Sequence, residues 1–196
     1  MLPSCHMPSH LAHTAFARHA FEDSGLLSKG DALSPFAVLG AQGPDIFYHN
    51  RRSKPSGLHY GGLLHRKGYG SFLGNTAAFL KRHTDFNHAH FNRDDAFAYI
   101  AAAATHAVLD RAAHPFINYF AGWHRPGADE MLRFTHAFLE RLIDYATVKR
   151  FRRSKPAEID FAGMIDMGPA LPTELERAIR FGLRSTLSRS GRDPKL

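Results

Sequence analysis

Three side chains that can bind a metal recur at every fourth position of one segment: His106, Asp110 and His114. Four residues advance an α-helix by about 400°, so on a helix these groups form a nearly axial row with steps of roughly 6 Å. The neighbouring residues are mostly apolar, and an ionised carboxylate is costly there unless it is paired or bound to a metal. The row predicts a cationic partner and can serve two metal ions. The alternative is that Asp110 pairs with Arg111 or a histidine while the histidines cap the helix or line a core.

A second pair with the same spacing, His136 and Glu140, lies further along the chain. The i, i+4 spacing places both side chains on one helix face, and imidazole nitrogen and carboxylate oxygen are both ligands that zinc uses. Two separate helices therefore offer metal-ligand spacing. Taken alone, the pair is equally compatible with a surface hydrogen bond.

Asp45 stands in the turn sequence Gly-Ala-Gln-Gly-Pro-Asp-Ile-Phe, where an acid between apolar segments is either a helix cap or a ligand. The chain holds 14 histidines among 196 residues, and histidine is the commonest metal ligand. The single cysteine, Cys5, excludes an internal disulfide and a cysteine-based zinc site. Zinc would need nitrogen and oxygen ligands here.

Length and composition indicate one globular domain over residues 1–196, with a core at about 7–187 and a tail at 188–196. The net charge of +7 favours anionic partners such as phospholipid headgroups or nucleic acid, although part of it, at 149–155, also suits a solvated helix end. Walker-type phosphate loops and a nucleophile elbow are absent from the sequence. We see no signal-peptide pattern and no apolar run of membrane-spanning length, so we expect a cytoplasmic protein.

The elements that must position these groups are all helices, because apolar residues recur at helical spacing and no alternating run is long enough for a sheet. We therefore predict an all-α fold. Pro115 should end or kink the helix that carries the histidine row. The glycine- and proline-rich residues from about 40 to 62 predict a long functional loop. The expected helices span about 10–25, 70–82, 96–114, 129–150 and 172–187.

In their order along the chain, these motifs resemble the zinc-dependent phospholipase C family. The resemblance rests on a Gly-Pro-Asp-Ile turn, a later histidine in a glycine-rich segment, a His-x-x-x-Asp-x-x-x-His-Pro helix and a following His-x-x-x-Glu, and it covers roughly residues 7 to 145. Related secreted phospholipases and single-strand-specific nucleases share a helical fold and a three-zinc cluster. The resemblance implies a single-domain helical bundle of this type, which hydrolyses phosphoesters with metal-activated water.

The resemblance also implies a ligand set for two to three Zn²⁺ ions. Asp45 would in addition guide the attacking water as a base. His59 is a rival of His65, but the order of the motifs and the helix that follows favour His65. The ligands would be Asp45, His65, His106 and Asp110 for one ion, His114, His136 and Glu140 for a second, and His13 with a bridging Asp110 for a third.

The chain departs from the secreted members of the family at two points. Those members complete the third site with the amino terminus of the processed chain, whereas here Met1 lies well upstream of His13 and we expect no cleaved signal. His6 or His10 would substitute, or the site would hold two ions. The spacing from Asp110 to His114 is shorter than in the secreted enzymes and similar to that of less characterised bacterial relatives.

Three functional interpretations follow. The first is phospholipase C-like hydrolysis of a phospholipid or another phosphodiester, with peripheral contact to an anionic membrane surface. The second is a zinc-dependent single-strand nuclease, in which aromatic residues stack on bases, although such residues more often form core. The third is a non-catalytic helical domain that binds metal structurally or as a sensor. The aromatic residues in question are Phe47, Tyr48, Tyr60, Tyr69 and Trp123.

Overall fold

A computed structural model describes residues 10–50, 56–83, 91–122, 129–151 and 158–187. Within these ranges the regular structure is helical and contains no strand, which confirms the predicted all-α single-domain fold. None of the described helices is both long and apolar enough to cross a membrane. The helices are α1 (His10–Asp23), α2 (Pro35–Ala41), a 3₁₀ helix (Gly43–His49), α3 (Gly57–Arg66), α4 (Tyr69–His83), α5 (Arg93–Ala121), α6 (Asp129–Phe151), α7 (Phe161–Met164) and α8 (Thr173–Leu187).

Helix α5 is the central element of the fold and packs against α1, α2, α4 and α6. It begins with a capping box, in which Asn92 accepts from the backbone N–H of Asp95 and the Asp95 carboxylate accepts from that of Asn92. It ends at Gly122, whose φ of 88° is the left-handed conformation typical of a helix stop. Helix α2 lies very close to α5, because a Cβ on Gly40 would collide with the backbone carbonyl of Tyr99.

The hydrophobic core comprises three clusters around these helices. The first joins α2, α4, α5 and α8, with Phe91, Leu175 and Ala178 at its centre. A second cluster, between α1, α2 and α5, is made of small residues such as Ala17 and Ala102, both with no exposed surface. The third joins α3, α4 and α8. Small residues in the second cluster let α1, α2 and α5 approach closely, and α1 and α5 carry four of the eight candidate ligands.

One local prediction was wrong, and one of the two outcomes expected at Pro115 is excluded. Residues 40–62 do not form one long loop, because the 3₁₀ helix and α3 occupy most of that range. Two of its residues lie at helix starts, since Pro44 is in the first turn of the 3₁₀ helix and Gly57 is the first residue of α3, while Gly61 and Gly62 lie inside α3. Pro115 does not end α5, which continues to Ala121. Pro115 is exposed, so water can satisfy the carbonyl that loses its helical partner.

The other helices match their predicted ranges closely, within a few residues at each end. Helix α5 begins three residues before the predicted Ala96, and the short helix α7 was not predicted. The predicted break at 84–92 lies mostly outside the described residues. Asp160 caps α7 by accepting from the Gly163 backbone N–H, a local pattern too short to stand out in the sequence.

Candidate metal centre

Five helices bring the eight predicted ligands together. These side chains form three groups in which the ligand atoms of each group all lie within 4.8 Å of one another. Separate elements supply them, so the arrangement is a product of the tertiary fold and not of one helix alone. The groups are Asp45, His65 and His106; His13, His106 and Asp110; and His114, His136 and Glu140.

Asp110 lies in the middle of the centre, with four histidines close to its carboxylate oxygens. Its Oδ2 atom lies 3.2 Å from Nε2 of His106 and 3.6 Å from Nε2 of His65. Its Oδ1 atom lies 3.4 Å from Nε2 of His13 and 3.4 Å from Nδ1 of His114. One carboxylate therefore faces imidazoles from α1, α3 and α5. This geometry suits a bridging ligand between neighbouring ions.

The first group lies at the buried base of the centre. Asp45 Oδ1 and His65 Nε2 are 2.9 Å apart, and Asp45 sits in the first turn of the 3₁₀ helix. Only 1% of His106 and 5% of Asp45 are exposed, and 21% of the His65 side chain is exposed. The group thus has two buried members and one at the rim.

The third group joins α5 to α6. His136 Nε2 and Glu140 Oε1 are 2.9 Å apart, and His114 Nε2 lies 3.7 Å from the same oxygen. The rings of His114 and His136 are stacked with centroids 5.3 Å apart. Both histidines are partly exposed, so this group is more open to solvent than the first.

Backbone carbonyls fix the orientation and tautomer of three histidines. Nδ1 of His65 lies 2.8 Å from the Gly61 carbonyl oxygen, Nδ1 of His106 lies 3.1 Å from that of Ala41, and Nδ1 of His114 lies 3.1 Å from that of Asp110. A carbonyl oxygen only accepts, so each Nδ1 carries the proton and donates. Each neutral ring then presents the lone pair of Nε2. Metal-binding histidines are held by the same kind of outer contact.

In a neutral His65 or His106 the lone pair of Nε2 would point at a carboxylate, which is unfavourable unless a proton or a metal ion lies between them. His106 Nε2 is buried and makes no hydrogen bond to any described residue, although it is 3.2 Å from an Asp110 oxygen. His13 Nδ1 is likewise buried without a hydrogen bond within the described ranges. Protonation of one ring can relieve one such contact. Protonation of every ring would crowd imidazolium ions together, so divalent ions fit this donor set better.

Charge coupling within the centre shifts the pKa values of three groups. Burial raises the pKa of Asp110, but the imidazoles of His106 and His13 close to its oxygens outweigh burial and leave that pKa far below its usual value. Asp45 behaves similarly: burial opposes its charge, and His65 and His106 more than compensate, so its pKa is lowered. Burial alone would lower the pKa of His65, whereas the hydrogen bond and charge of Asp45 raise it to about 9. Without metal, the two acids are ionised and His65 is protonated.

His10 does not join the His13 group as a substitute third ligand. Its Nδ1 lies 2.6 Å from Gln42 Oε1, and its Nε2 lies 3.1 Å from Nε2 of His49. Both nitrogens therefore face away to other partners, and Gln42 in turn donates to the Thr14 hydroxyl. Burial lowers the pKa of His10, so this network is held in its neutral form. The other proposed substitute, His6, lies outside the described residues.

His65, and not its rival His59, reaches the centre. His59 is exposed and makes an edge contact with the Tyr60 ring, whereas His65 lies six residues further along α3 and faces Asp45. The ring of Tyr48 stacks on His65 with centroids 5.4 Å apart, and its hydroxyl lies 3.2 Å from His65 Nδ1. Burial and the charge of Asp45 raise the pKa of Tyr48 to about 12, so its hydroxyl stays protonated.

Several supporting residues were not recognised from the sequence. Gly43, with a φ of 52°, lets the backbone pass against the ring of His106. Gly61 leaves room for the Tyr48 ring and supplies the carbonyl that orients His65. Asp144 on α6 accepts from the Ala12 backbone N–H, which ties α6 to the start of α1. The glycine at position 43, in a turn sequence, was a signal for one of these contacts, but it does not reveal the partner across the fold.

The fold and the site together define an all-α, single-domain protein with clusters of His, Asp and Glu that could hold metal ions. No family model, no curated protein and no solved structure matches the chain. Its function must therefore be argued from the site itself.

Proposed function

We propose that this protein is a zinc-dependent phosphoesterase that hydrolyses a phosphodiester in a phospholipase C-like manner. The observation that carries the proposal is the position of Asp110, whose two oxygens face four imidazoles within 3.6 Å. Nitrogen and oxygen donors at such spacing suit Zn²⁺, and the chain supplies no cysteine cluster that would suit a structural site of the usual thiolate type.

The proposed ligands divide the ions among the three groups of the centre. Asp45, His65 and His106 would hold one ion, and His114, His136 and Glu140 a second. His13 and Asp110 would hold a third, with Asp110 shared among neighbours. Bound zinc would supply Lewis acidity, which lowers the pKa of a water towards neutrality and neutralises phosphate charge.

The protein residues supply orientation and proton transfer. Asp45 is ionised and lies 2.9 Å from His65, so its carboxylate would be available to orient an attacking water in the proposed base role. The backbone carbonyls of Gly61 and Ala41 keep the rings of His65 and His106 in place, so little reorganisation is needed when a substrate binds. The negative charge of Asp110 would partly neutralise the positive charge of the bound ions.

The exposure of the centre favours a catalytic role over a purely structural one. Its base is buried, but the side chains of Asp110 and His114 are 19% and 30% exposed. A structural zinc site is closed, whereas a catalytic site keeps a position for water or substrate. The solvent-facing rim here gives a phosphate group a route to the proposed ions.

The aromatic residues give the nuclease alternative little support. Phe47, Tyr60 and Tyr69 pack in or against the third core cluster, so they are not available to stack on bases. Tyr48 stacks on His65. Trp123 lies outside the described residues. A phospholipid or other phosphodiester substrate, peripheral contact with an anionic membrane surface and a cytoplasmic location therefore remain part of the proposal, with the net charge of +7 in their favour.

The test is an activity assay with matched variants. Purified protein should hydrolyse a phosphatidylcholine analogue or a generic phosphodiester, lose activity after chelation and regain it with zinc. Asp110→Asn should lower kcat/KM at least about 100-fold, because it removes the shared charged ligand. Asp31→Asn makes the same chemical change at an exposed position between α1 and α2 and should be neutral. A single-stranded oligonucleotide as the better substrate would support the nuclease interpretation, and full activity of metal-free protein would contradict both.

A further inference from the structure

Helix α5 carries an exposed apolar row on the side opposite to the metal ligands. Phe97, Val108 and Tyr119 are 56%, 58% and 62% exposed. At about 100° per residue, Phe97 and Tyr119 both lie within roughly 20° of Val108 around the helix axis, whereas Asp110 lies about 200° away. The same helix therefore presents ligands on one side and a hydrophobic row to solvent on the other.

The row is arranged symmetrically about Val108. Phe97 precedes Val108 by 11 residues (108 − 97) and Tyr119 follows it by 11 (119 − 108). Ala104 and Ala112 lie four residues to either side, and both are exposed. Pro115, seven residues after Val108, is exposed as well, whereas Ala101, seven residues before it, is partly buried and packs against the second core cluster. Large residues thus stand at both ends and small ones flank the centre.

We propose that α5 packs antiparallel against α5 of a second copy of this chain, with the two-fold axis at Val108. In such an isologous interface residue i meets residue j and j meets i. Val108 would meet Val108 of the other copy, and Phe97 would meet Tyr119 at both ends. The flanking alanines allow the two helices to approach closely, and the aromatic pairs fill the wider space at the ends.

The area of the row is at the low end of what a specific dimer needs. From Phe97 to Tyr119 the helix extends about 33 Å. Phe97, Val108 and Tyr119 are each more than half exposed, whereas the exposed Phe116 and Phe120 lie about 80° and 120° from the line of the row and are not counted in it. Two half-exposed aromatic side chains with Val108, Ala104, Ala112 and Pro115 offer roughly 400–500 Å² per copy. The pair would bury about 800–1,000 Å², which fits a dimer that dissociates on dilution.

The charges of α5 favour a second protein chain over a lipid surface. Between Phe97 and Phe120 the only residues among Asp, Glu, Lys and Arg are Asp110, which belongs to the metal centre, and Arg111. An interfacial membrane helix instead carries a strongly cationic polar face beside its apolar one. Arg111 lies about 60° from the line of the row, so it can stay in water at the rim of a helix pair. The dimer leaves each metal centre open on its outer side and does not depend on the proposed activity.

Cysteine cross-linking tests the two-fold axis directly. In a Cys5→Ser background, Val108→Cys should form a disulfide-linked dimer on mild oxidation, because only a residue on the axis faces its own copy at a bridgeable distance. Phe97→Cys alone should stay monomeric on the gel, and a mixture with Tyr119→Cys should cross-link. Phe181→Cys, exposed on α8, is the control for random collision. Equal cross-linking of Val108→Cys and Phe181→Cys would overturn the proposal.

The mass of the unmodified protein provides an independent measurement. Light scattering should show a dimer that dissociates on dilution, and Phe97→Glu should raise the dissociation constant at least about tenfold. A monomer at every concentration would overturn the proposal. So would a monomer that binds phosphatidylcholine–phosphatidylserine vesicles in a manner sensitive to Phe97→Glu, because lipid would then be the occupant of the row.

Discussion

His106 Nε2 lies 3.2 Å from Asp110 Oδ2, while Nδ1 of the same ring lies 3.1 Å from the Ala41 carbonyl oxygen. Both neighbours are acceptors, and one neutral imidazole has only one N–H to give. Since the ring is 1% exposed, water cannot easily resolve the conflict. A proton or a metal ion is needed at Nε2. This contact motivates the proposed metal centre, because a divalent ion would satisfy His106 and the neighbouring imidazoles at once.

Gly43→Ala should abolish or weaken zinc binding through His106. A Cβ at this position would lie 2.5 Å from Cγ of the His106 ring and 2.8 Å from the Tyr69 hydroxyl, so the ring must move. Gly25→Ala is the matched control: Gly25 also has a positive φ, of 74°, but nothing lies within 4 Å of the added Cβ. Both variants should lose about 1–2 kcal/mol from backbone strain. Only Gly43→Ala should lose zinc affinity, by roughly 10-fold or more, in calorimetric titration. Equal zinc affinity in the two variants would contradict this role for Gly43.

Gly61→Ala should weaken zinc binding, whereas Gly62→Ala, at the next position of α3, should raise the stability of the helix. The new Cβ at position 61 would lie 2.8 Å from the Tyr48 ring, which stacks on His65. We expect weaker zinc binding from this variant. At position 62 the nearest atom is 3.7 Å away, on Arg66, so alanine should raise helix stability by up to about 1 kcal/mol. Urea unfolding and zinc titration measure both effects, and unchanged zinc affinity in Gly61→Ala would show that Tyr48 does not position His65.

The metal-free protein should lose stability as the pH rises from neutral to alkaline. The pKa of His65 is about 9 in the folded protein, above its ordinary 6.5, so protonated His65 stabilises the fold fully below pH 6.5 and this contribution is lost towards pH 9. The loss is at most on the order of 3 kcal/mol. The lowered pKa values of Asp45 and Asp110 act in the opposite direction, and their contribution is lost only in acid.

Urea midpoints of metal-free protein at pH 6 and pH 9.5 measure this effect. His65→Gln should flatten the alkaline slope, because glutamine does not titrate. Zinc-loaded protein should not show the slope, since the metal takes the place of the proton. A slope that survives in His65→Gln would assign the alkaline loss to another group.

Asp144→Ala should destabilise the fold by about 1–2 kcal/mol. Asp144 on α6 accepts from the Ala12 backbone N–H near the start of α1, where helical N–H groups lack partners within the helix. Because α1 carries His13 and α6 carries His136 and Glu140, we also expect weaker binding of zinc. Asp160→Ala removes the cap of the short helix α7 and serves as the comparison. If the unfolding temperature falls equally in both variants, the α6–α1 contact does not stabilise the protein more than the cap of α7 does.

The sequence allowed helix positions and helix faces to be predicted well, and the contacts between helices less well. The row His106, Asp110 and His114 could be placed on one helix face because it depends only on the pitch of α5. The prediction that residues 40–62 form a loop was wrong, since Pro44 and Gly57 start helices there and do not interrupt them. Glycine and proline are compatible with both uses, and only the packing around them decides.

Within the metal centre, too, local spacing was predictable and contacts between helices were not. The eight ligand types and their grouping followed from spacing and from the resemblance to a family, and the structure brings these side chains together. The sequence did not reveal that the Ala41 carbonyl fixes the His106 tautomer, because residues 41 and 106 meet only when α2 packs on α5. It also left His10 open as a ligand, whereas Gln42 and His49 already occupy both of its nitrogens. Contacts of this kind depend on rotamers that sequence spacing does not determine.

The most direct test of the metal centre is the zinc stoichiometry of metal-depleted protein, measured by calorimetric titration and confirmed by elemental analysis. We predict uptake of about two or three zinc ions per chain with release of protons, and a loss of at least one ion in Asp110→Asn but none in Asp31→Asn. Failure to bind zinc, or identical uptake by the wild type and Asp110→Asn, would contradict the central claim that these side chains share divalent ions.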